Sequence, residues 1–513
     1  MRLTIKTLVA AAAATLGLAA PAPAASSEHI VRFDDGLSPA AQQAVVQGAG
    51  GKVTRDLHII DGVGARLSDA AARRLAADSR VASIVADSPV QLSSTVIDSS
   101  VLGTAFNASM RTDKLWTLGG TGKGVTVAVV DTGIAGNLPD FQVSRTDTTS
   151  RVIASVVTNP EATTATDTFG HGTHVAGLIA GNGSNRSPDD PQYGKYAGTA
   201  PDANLVSIKV SDDAGQTSVL DVIYGVQFAV DHKSEYGIRV LNLSLNSTTA
   251  MSYKEDPLDA AVEQAWFKGI AVVTAAGNRG ASAPDAVSYA PANDPYVITV
   301  GAANDMGTKL IQDDVRASWS SQGRTQDGVA KPDVAAPGAG LVAPLAPNSA
   351  FAAQCPTCVV GGSYLRIGGT SMAAAVTSGA VAELLQLHPN WTPDMVKAAL
   401  VKTAREVAGA GRIVNAASAD RAFVNDPLLQ PANQGLTPNP IVNPVTGEID
   451  FTRASWSRAS WSTAADLLRA SWSRASWSCA CWATDEEIAA DPTRASWSRA
   501  SWSRASWSFS PDL

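Results

Sequence analysis

The sequence is short of positive charge: its 513 residues carry 39 Lys and Arg against 47 Asp and Glu, a net charge of -8. A protein whose main task is to neutralise nucleic acid phosphates needs a basic face, so that class is excluded. Cysteine is also scarce, four residues in two close pairs, Cys355 with Cys358 and Cys479 with Cys481. Four are too few for a disulfide scaffold of this length, and neither a thioredoxin-like context nor a histidine pair surrounds them. In an exported chain disulfides are the natural reading, with the pairing left open. Long apolar runs are missing beyond the first residues. There, Arg2 and Lys6 precede a short Ala-rich stretch that ends in Ala22-Pro23-Ala24. This reads as a secretory signal peptide, being too short and too Pro-interrupted for a membrane span. What the chain does have is 45% hydrophobic residues, enough for a large core with accessory segments.

Those apolar residues fall into two patterns. Between Glu28 and Val90, HIVRF, GVGARL and VASIVAD read as strands, while SPAAQQAVVQGAG and SDAAARRLAAD read as capped helices of a small α+β unit. From about Leu115, near-continuous apolar strands such as GVTVAVVDTG, ANLVSIKV and IRVLNLSL alternate with helical stretches. That rhythm predicts an α/β fold, a doubly wound and mostly parallel sheet whose site lies at the carboxyl ends of its strands. A Pro- and Asn-rich linker follows over 421–452, and over 453–513 the pentamer RASWS occurs seven times.

Histidine is scarce as well, six residues in all, yet two lie three apart in FGHGTHVAG. A metal clasp would need a third ligand motif, and none accompanies them. His171 opens a helical stretch and His174 lies inside it. Asp131 ends the first strong strand in VVDTG, Ser371 follows two glycines and precedes an Ala-rich helix in GGTSMAAAV, and Asn278 ends TAAGN. A serine at a helix start exposes its hydroxyl and aims backbone N–H groups at a developing oxyanion, which a side-chain amide can also bind. Taken singly, these residues read as a turn former, a helix cap and a loop amide. Together, in the order Asp, His, Ser, they offer what a catalytic reading requires: a histidine at a helix start, a carboxylate to orient it and a hydroxyl whose proton it could take.

The motifs VVDTG, HGTHVAG, AAGN and GTSMA together resemble the subtilisin-like serine peptidases over roughly Leu115 to Asp420. The resemblance implies a secreted endopeptidase with Ser371 as nucleophile, His171 as general base, Asp131 orienting it and Asn278 in the oxyanion hole. It implies polypeptide substrates lying along Ser244 and Leu245, with Asn246 where the family has glycine, and Gly277 at the wall of the primary pocket. Arg279 falls near the pocket entrance, as a solvated surface side chain or as a partner for an acidic residue before the scissile bond. Asp140 matches a calcium ligand of the family, so a structural calcium is an expectation, although GSNRSPDDPQYGKYAG replaces the stretch that forms the site in many relatives. Ala375 and Val376 stand where relatives have Pro and His. The residues 1–25 would be the signal peptide, 26–100 an inhibitory propeptide and 101–420 the catalytic domain, self-processed from a zymogen.

The Trp-rich tail has no tryptophan stripe in either regular conformation, because a period of five turns each copy by about 140° in a helix and flips faces in a strand. It reads as a weakly structured arm that could contact the cell envelope. A rival reading makes the whole chain a catalytically silent scaffold that binds surfaces through this arm.

Overall fold

The computed structural model describes residues 26–33, 37–57, 62–86, 102–440, 442–443, 445–446 and 476–477. The signal-peptide reading, and that of most of the tail, lie outside the described residues. The chain divides into two compact units, Met1–Ser93 and Ser94–Leu513.

In the first unit four antiparallel strands stand in the order Lys52–Leu57, Gly62–Ser68, Ser26–Phe33, Val81–Ala86. Two helices accompany them, each begun by a serine whose hydroxyl accepts a backbone N–H of the first turn: Ser38 for Pro39–Gly48 and Ser68 for Asp69–Ala76. Val31, Phe33, Val46, Leu67 and Leu75 close one small core. The strand Lys52–Leu57 was not expected. It lies at the sheet edge and carries charged residues, as edges commonly do, so no apolar alternation marks it.

The second unit is built on a sheet whose order runs Arg405–Val407, Gly411–Ile413, Val334–Pro337, Ile298–Asn304, Ala271–Ala275, Ile238–Leu243, Thr126–Asp131, Asn204–Lys209, Val152–Val157. All neighbours on this path are parallel except the pair Arg405–Val407 with Gly411–Ile413. The expected α/β sheet is therefore the observed one. Every residue of TVAVVD at 126–131 is buried, which is why that stretch reads as one apolar run rather than an alternation. This strand has the later Asn204–Lys209 on one side and Ile238–Leu243 on the other, so its carboxyl end is a point where chain order reverses.

Helices His171–Ala180 and Thr370–Leu387 pack on each other and on the sheet, while Val219–Asp231 and Pro257–Phe267 form a second packed pair. Thr370–Leu387 is buried from Thr370 to Leu385, and its alanines let the sheet and the His171 helix approach closely. Ala375 and Val376 continue this helix without a break. A three-stranded sheet, Leu341–Pro344, Tyr364–Ile367 and Val359–Val360, lies against the His171 helix through its first strand. Cys355 and Cys358 are bridged to each other between Leu341–Pro344 and Val359–Val360; Cys479 and Cys481 fall outside the described residues.

Candidate active site

Asp131 leaves the sheet at the reversal point with its carboxylate buried. Its Oδ1 accepts the Thr132 backbone N–H at 2.8 Å and pairs with His171 Nδ1 at 2.7 Å. A carboxylate can only accept, so Nδ1 carries the proton and Nε2 is left as the basic nitrogen. His171 is the first residue of its helix, and Gly172 after it has no room for a side chain. A Cβ there would lie 2.2 Å from the Gly133 carbonyl and 3.0 Å from the Asp131 carboxylate.

A second carboxylate, overlooked in the sequence, anchors this corner. Asp167 accepts the N–H of Gly170 at 2.7 Å, the N–H and hydroxyl of Thr173 at 2.8 and 2.6 Å, and the Thr132 hydroxyl at 2.9 Å. The Thr132 oxygen in turn accepts the Gly172 N–H at 2.9 Å. Asp167 thus caps the His171 helix in place of its N-cap residue, Gly170, which has no side chain to do so. The spacing of Asp167 before the helix was the only available signal.

His174, one helical turn on, faces away from this corner. Its Nε2 lies 3.2 Å from the Leu341 carbonyl and 3.0 Å from the Leu365 carbonyl, and burial pushes its pKa down to about 3. It is a neutral tie between helix and small sheet.

Ser371 is the second residue of its long helix, and its hydroxyl donates to the Ser244 carbonyl at 3.0 Å. The Ser244 hydroxyl returns a bond to the Ser371 carbonyl at 3.1 Å, so the two segments are stitched together at the serine. Asn278 approaches from the loop after Ala271–Ala275. Its Oδ1 accepts both the N–H and the hydroxyl of Thr370, each at 3.1 Å, which fixes the amide orientation. Its Nδ2 is buried without a hydrogen-bond partner among the described residues. The fold therefore holds a pre-oriented donor beside the serine helix, and Thr370 is the second residue overlooked in the sequence.

The remaining expected contacts divide. Asn246 is buried, donates from Nδ2 to the Ala275 carbonyl at 2.9 Å, and its Oδ1 would be 3.1 Å from a Cβ on Gly277, whose φ of +99° favours glycine. The Asn246 side chain is thus packed between Ala275 and Gly277. Arg279 corrects the sequence reading. Its side chain is only 9% exposed, its guanidinium lies 3.3 Å from the centre of the Tyr289 ring, and Nη1 is 3.9 Å from Asp285. It is a stacked, packed arginine rather than a solvated one.

Asp140, the expected calcium ligand, is fully buried. Its Oδ1 accepts the Asn185 N–H at 3.0 Å, with the N–H groups of Gly183 and Ser184 also acting on the carboxylate. Burial pushes its pKa up to about 7 despite these donors. Beside it the buried Arg151 guanidinium donates to four carbonyls, of Asp140 and Ala180 at 2.7 Å, Ala203 at 2.8 Å and Gln142 at 3.2 Å. The Asp140 Oδ2, by contrast, is buried without a hydrogen-bond partner among the described residues, so one carboxylate oxygen is left for a cation, although the carbonyls close by converge on the Arg151 guanidinium. Among the described residues no group of three or more His, Cys, Asp or Glu side chains forms a metal cluster.

The profile of the Subtilase family, Peptidase S8, matches residues 122–425. The serine protease AprX of Bacillus subtilis is 40% identical over 284 residues, which is 54% of this chain and 60% of AprX. Subtilisin E of Bacillus subtilis is 31% identical over 74% of this chain and 85% of its own length. Fervidolysin from Fervidobacterium pennivorans, a keratinolytic enzyme related to subtilisin, matches in structure at 25% identity with a TM-score of 0.48, over 79% of this chain and 62% of that one. The family profile covers more than half of the sequence, and on that ground the chain belongs to the subtilase family of serine endopeptidases.

Proposed function

We propose that the chain is a secreted serine endopeptidase, made as a zymogen, whose Asp131, His171 and Ser371 form the catalytic triad with Asn278 in the oxyanion hole. The reading rests above all on the buried 2.7 Å pair of His171 Nδ1 with Asp131, which presents Nε2 as a base. In the reaction the Ser371 hydroxyl leaves the Ser244 carbonyl by rotating about χ1 and gives its proton to His171 as Oγ attacks the scissile carbonyl. The Asn278 amide and the Ser371 N–H receive the oxyanion, and the His171 cation then protonates the leaving amine. Water hydrolyses the acyl-enzyme by the same route.

Substrate would pair with the backbone at Ser244 to Asn246, its side chain before the scissile bond facing Gly277. Arg279, stacked on Tyr289 beside Asp285, has its charge partly spent within the protein, so an acidic residue before the bond gains little from it. The unit containing residues 26–86 acts as the propeptide, an inhibitor until self-cleavage removes it.

Expressing the chain from residue 26 beside its Ser371→Ala form tests this. Propeptide loss and casein hydrolysis are expected only with serine at 371. Equal processing and hydrolysis by both chains would overturn the assignment, and a folded but inert wild-type chain would favour the scaffold reading.

A further inference from the structure

One contact of the tail lies within the described residues, and it falls on the strand next to the nucleophile. Ser476–Trp477 pairs antiparallel with Leu245–Asn246, Ser476 opposite Asn246 and Trp477 opposite Leu245. These two tail residues belong to the RASWS copy at Arg474–Ser478. The strand they meet is fixed on both sides: Ser244 exchanges hydrogen bonds with Ser371, and the Asn246 side chain is tied to Ala275.

The direction of pairing carries the argument. An antiparallel partner that has Ser476 at Asn246 and Trp477 at Leu245 runs toward Ser244, whose carbonyl accepts the Ser371 hydroxyl. A polypeptide laid on this strand for cleavage has to run the same way, with the residue before the scissile bond nearest Ser371. We propose that the RASWS tail is an intramolecular ligand of the substrate strand, in which Arg474–Ser478 competes with polypeptide substrates for Ser244 to Asn246. This rests on the assignment of Ser371 as nucleophile and of that strand as the substrate strand.

The repeat suits the role. Pairing through backbone groups tolerates exchange of one copy for another, and seven identical pentamers on one tether raise the local concentration of the ligand without further contacts. The same pentamer also occurs at Arg316–Ser320, where Arg316 pairs antiparallel with Ala303, so its opening residue is compatible with strand pairing.

The test uses the full chain beside a version in which the serine before each tail tryptophan becomes proline, Ser476→Pro and its six equivalents. Proline removes the N–H that a paired strand donates, and these positions lie in the tail, beyond residues 101–420 of the sequence. For a tether giving an effective concentration of about 1 mM, a ligand of sub-millimolar affinity raises the apparent KM about fivefold. The proline chain should therefore show KM lowered about fivefold at unchanged kcat on a short peptide substrate, and added acetyl-RASWS-amide should inhibit it competitively. Equal KM values together with no inhibition at millimolar peptide would overturn the proposal. The two readings fail separately. Activity surviving in Ser371→Ala removes the triad assignment, whereas a dead Ser371→Ala with equal KM values and no peptide inhibition removes only the tail ligand. Anisotropy of a labelled RASWS peptide on the Ser371→Ala proline chain reads binding without turnover. Saturable binding there supports the proposal, and no binding at millimolar concentration counts against it.

Discussion

Replacing Asn278 by Asp isolates the oxyanion donor from the structural work of the same side chain. The Asn278 carbonyl oxygen holds the N–H and hydroxyl of Thr370, and an aspartate keeps an oxygen in that position. What disappears is the Nδ2 donor, which has no partner among the described residues and so contributes little to the resting fold. In the proposed mechanism that donor meets the developing oxyanion of the transition state, where such a bond supplies about 3 kcal/mol. A loss of about 3 kcal/mol is roughly 150-fold in rate, and repulsion from the new carboxylate pushes the effect toward 1000-fold. Steady-state kinetics on a chromogenic peptide should give that fall in kcat with KM changed by less than about threefold, because the donor is used in the transition state rather than the ground state. Thermal melting should stay within about 1 kcal/mol of wild type. A fall in kcat below about tenfold in a chain that melts normally would refute the oxyanion role.

Three further outcomes follow from buried groups. Arg151→Met, which strands four carbonyls, should cost about 3–5 kcal/mol by chemical denaturation, and a cost below ~1 kcal/mol would refute the view that Arg151 ties these carbonyls together. His174 has a folded pKa pushed down to about 3 by burial, so below its unfolded pKa the unfolded chain takes up a proton that the folded chain refuses. Its contribution is fully present above about pH 6.5 and falls by roughly 1.4 kcal/mol per unit as the pH drops toward 3. In urea titrations across that window His174→Gln should flatten the decline, and an unaltered decline would remove His174 as its source. Asp167→Ala leaves the donors of Gly170, Thr173 and Thr132 unmatched and should cost about 3–5 kcal/mol by chemical denaturation, with activity falling alongside; a cost below ~1 kcal/mol would refute the anchoring role.

The sequence was most legible where a residue and its reason are close in the chain. The run at 126–131 declares a buried parallel strand, and Asp131, His171, Asn278 and Ser371 are each set at the end of a strand or the start of a helix by glycines and apolar runs within a few residues. The fold then carries Asp131 to His171 across 40 positions, and Asn278 to Thr370 across 92. Legibility failed where the partner is remote and unmarked. Nothing near Arg151 indicates that carbonyls from residues 140, 142, 180 and 203 will surround it. Arg279 reads as a surface cation because its stacking partner, Tyr289, lies ten residues on in a loop with no period. The edge strand Lys52–Leu57 was hidden by the charges that protect an edge.

The pentamer RASWS separates local propensity from context. At 316–320 it is core: Ala317, Trp319 and Ser320 are buried, the Ser320 hydroxyl accepts the Ala302 N–H at 2.8 Å, and the Trp319 carbonyl accepts the Gly280 N–H at 2.8 Å. Those partners come from the strand Ile298–Asn304 and from the loop after Asn278, neither of which the pentamer itself supplies. Five residues cannot bury a tryptophan or satisfy their own backbone, so the same letters acquire structure only where a strand is offered to them. In the tail the one described copy meets such a strand at Leu245–Asn246. A protein that repeats this sequence seven times beyond its catalytic domain therefore carries seven candidates for one edge, and that edge is the one beside Ser371. Occupancy of the cleft should then rise with the number of intact copies rather than depend on any single one. Restoring copies one at a time to the all-proline chain should raise the apparent KM in steps, and full recovery from one copy, with no further rise, would refute that dependence on number.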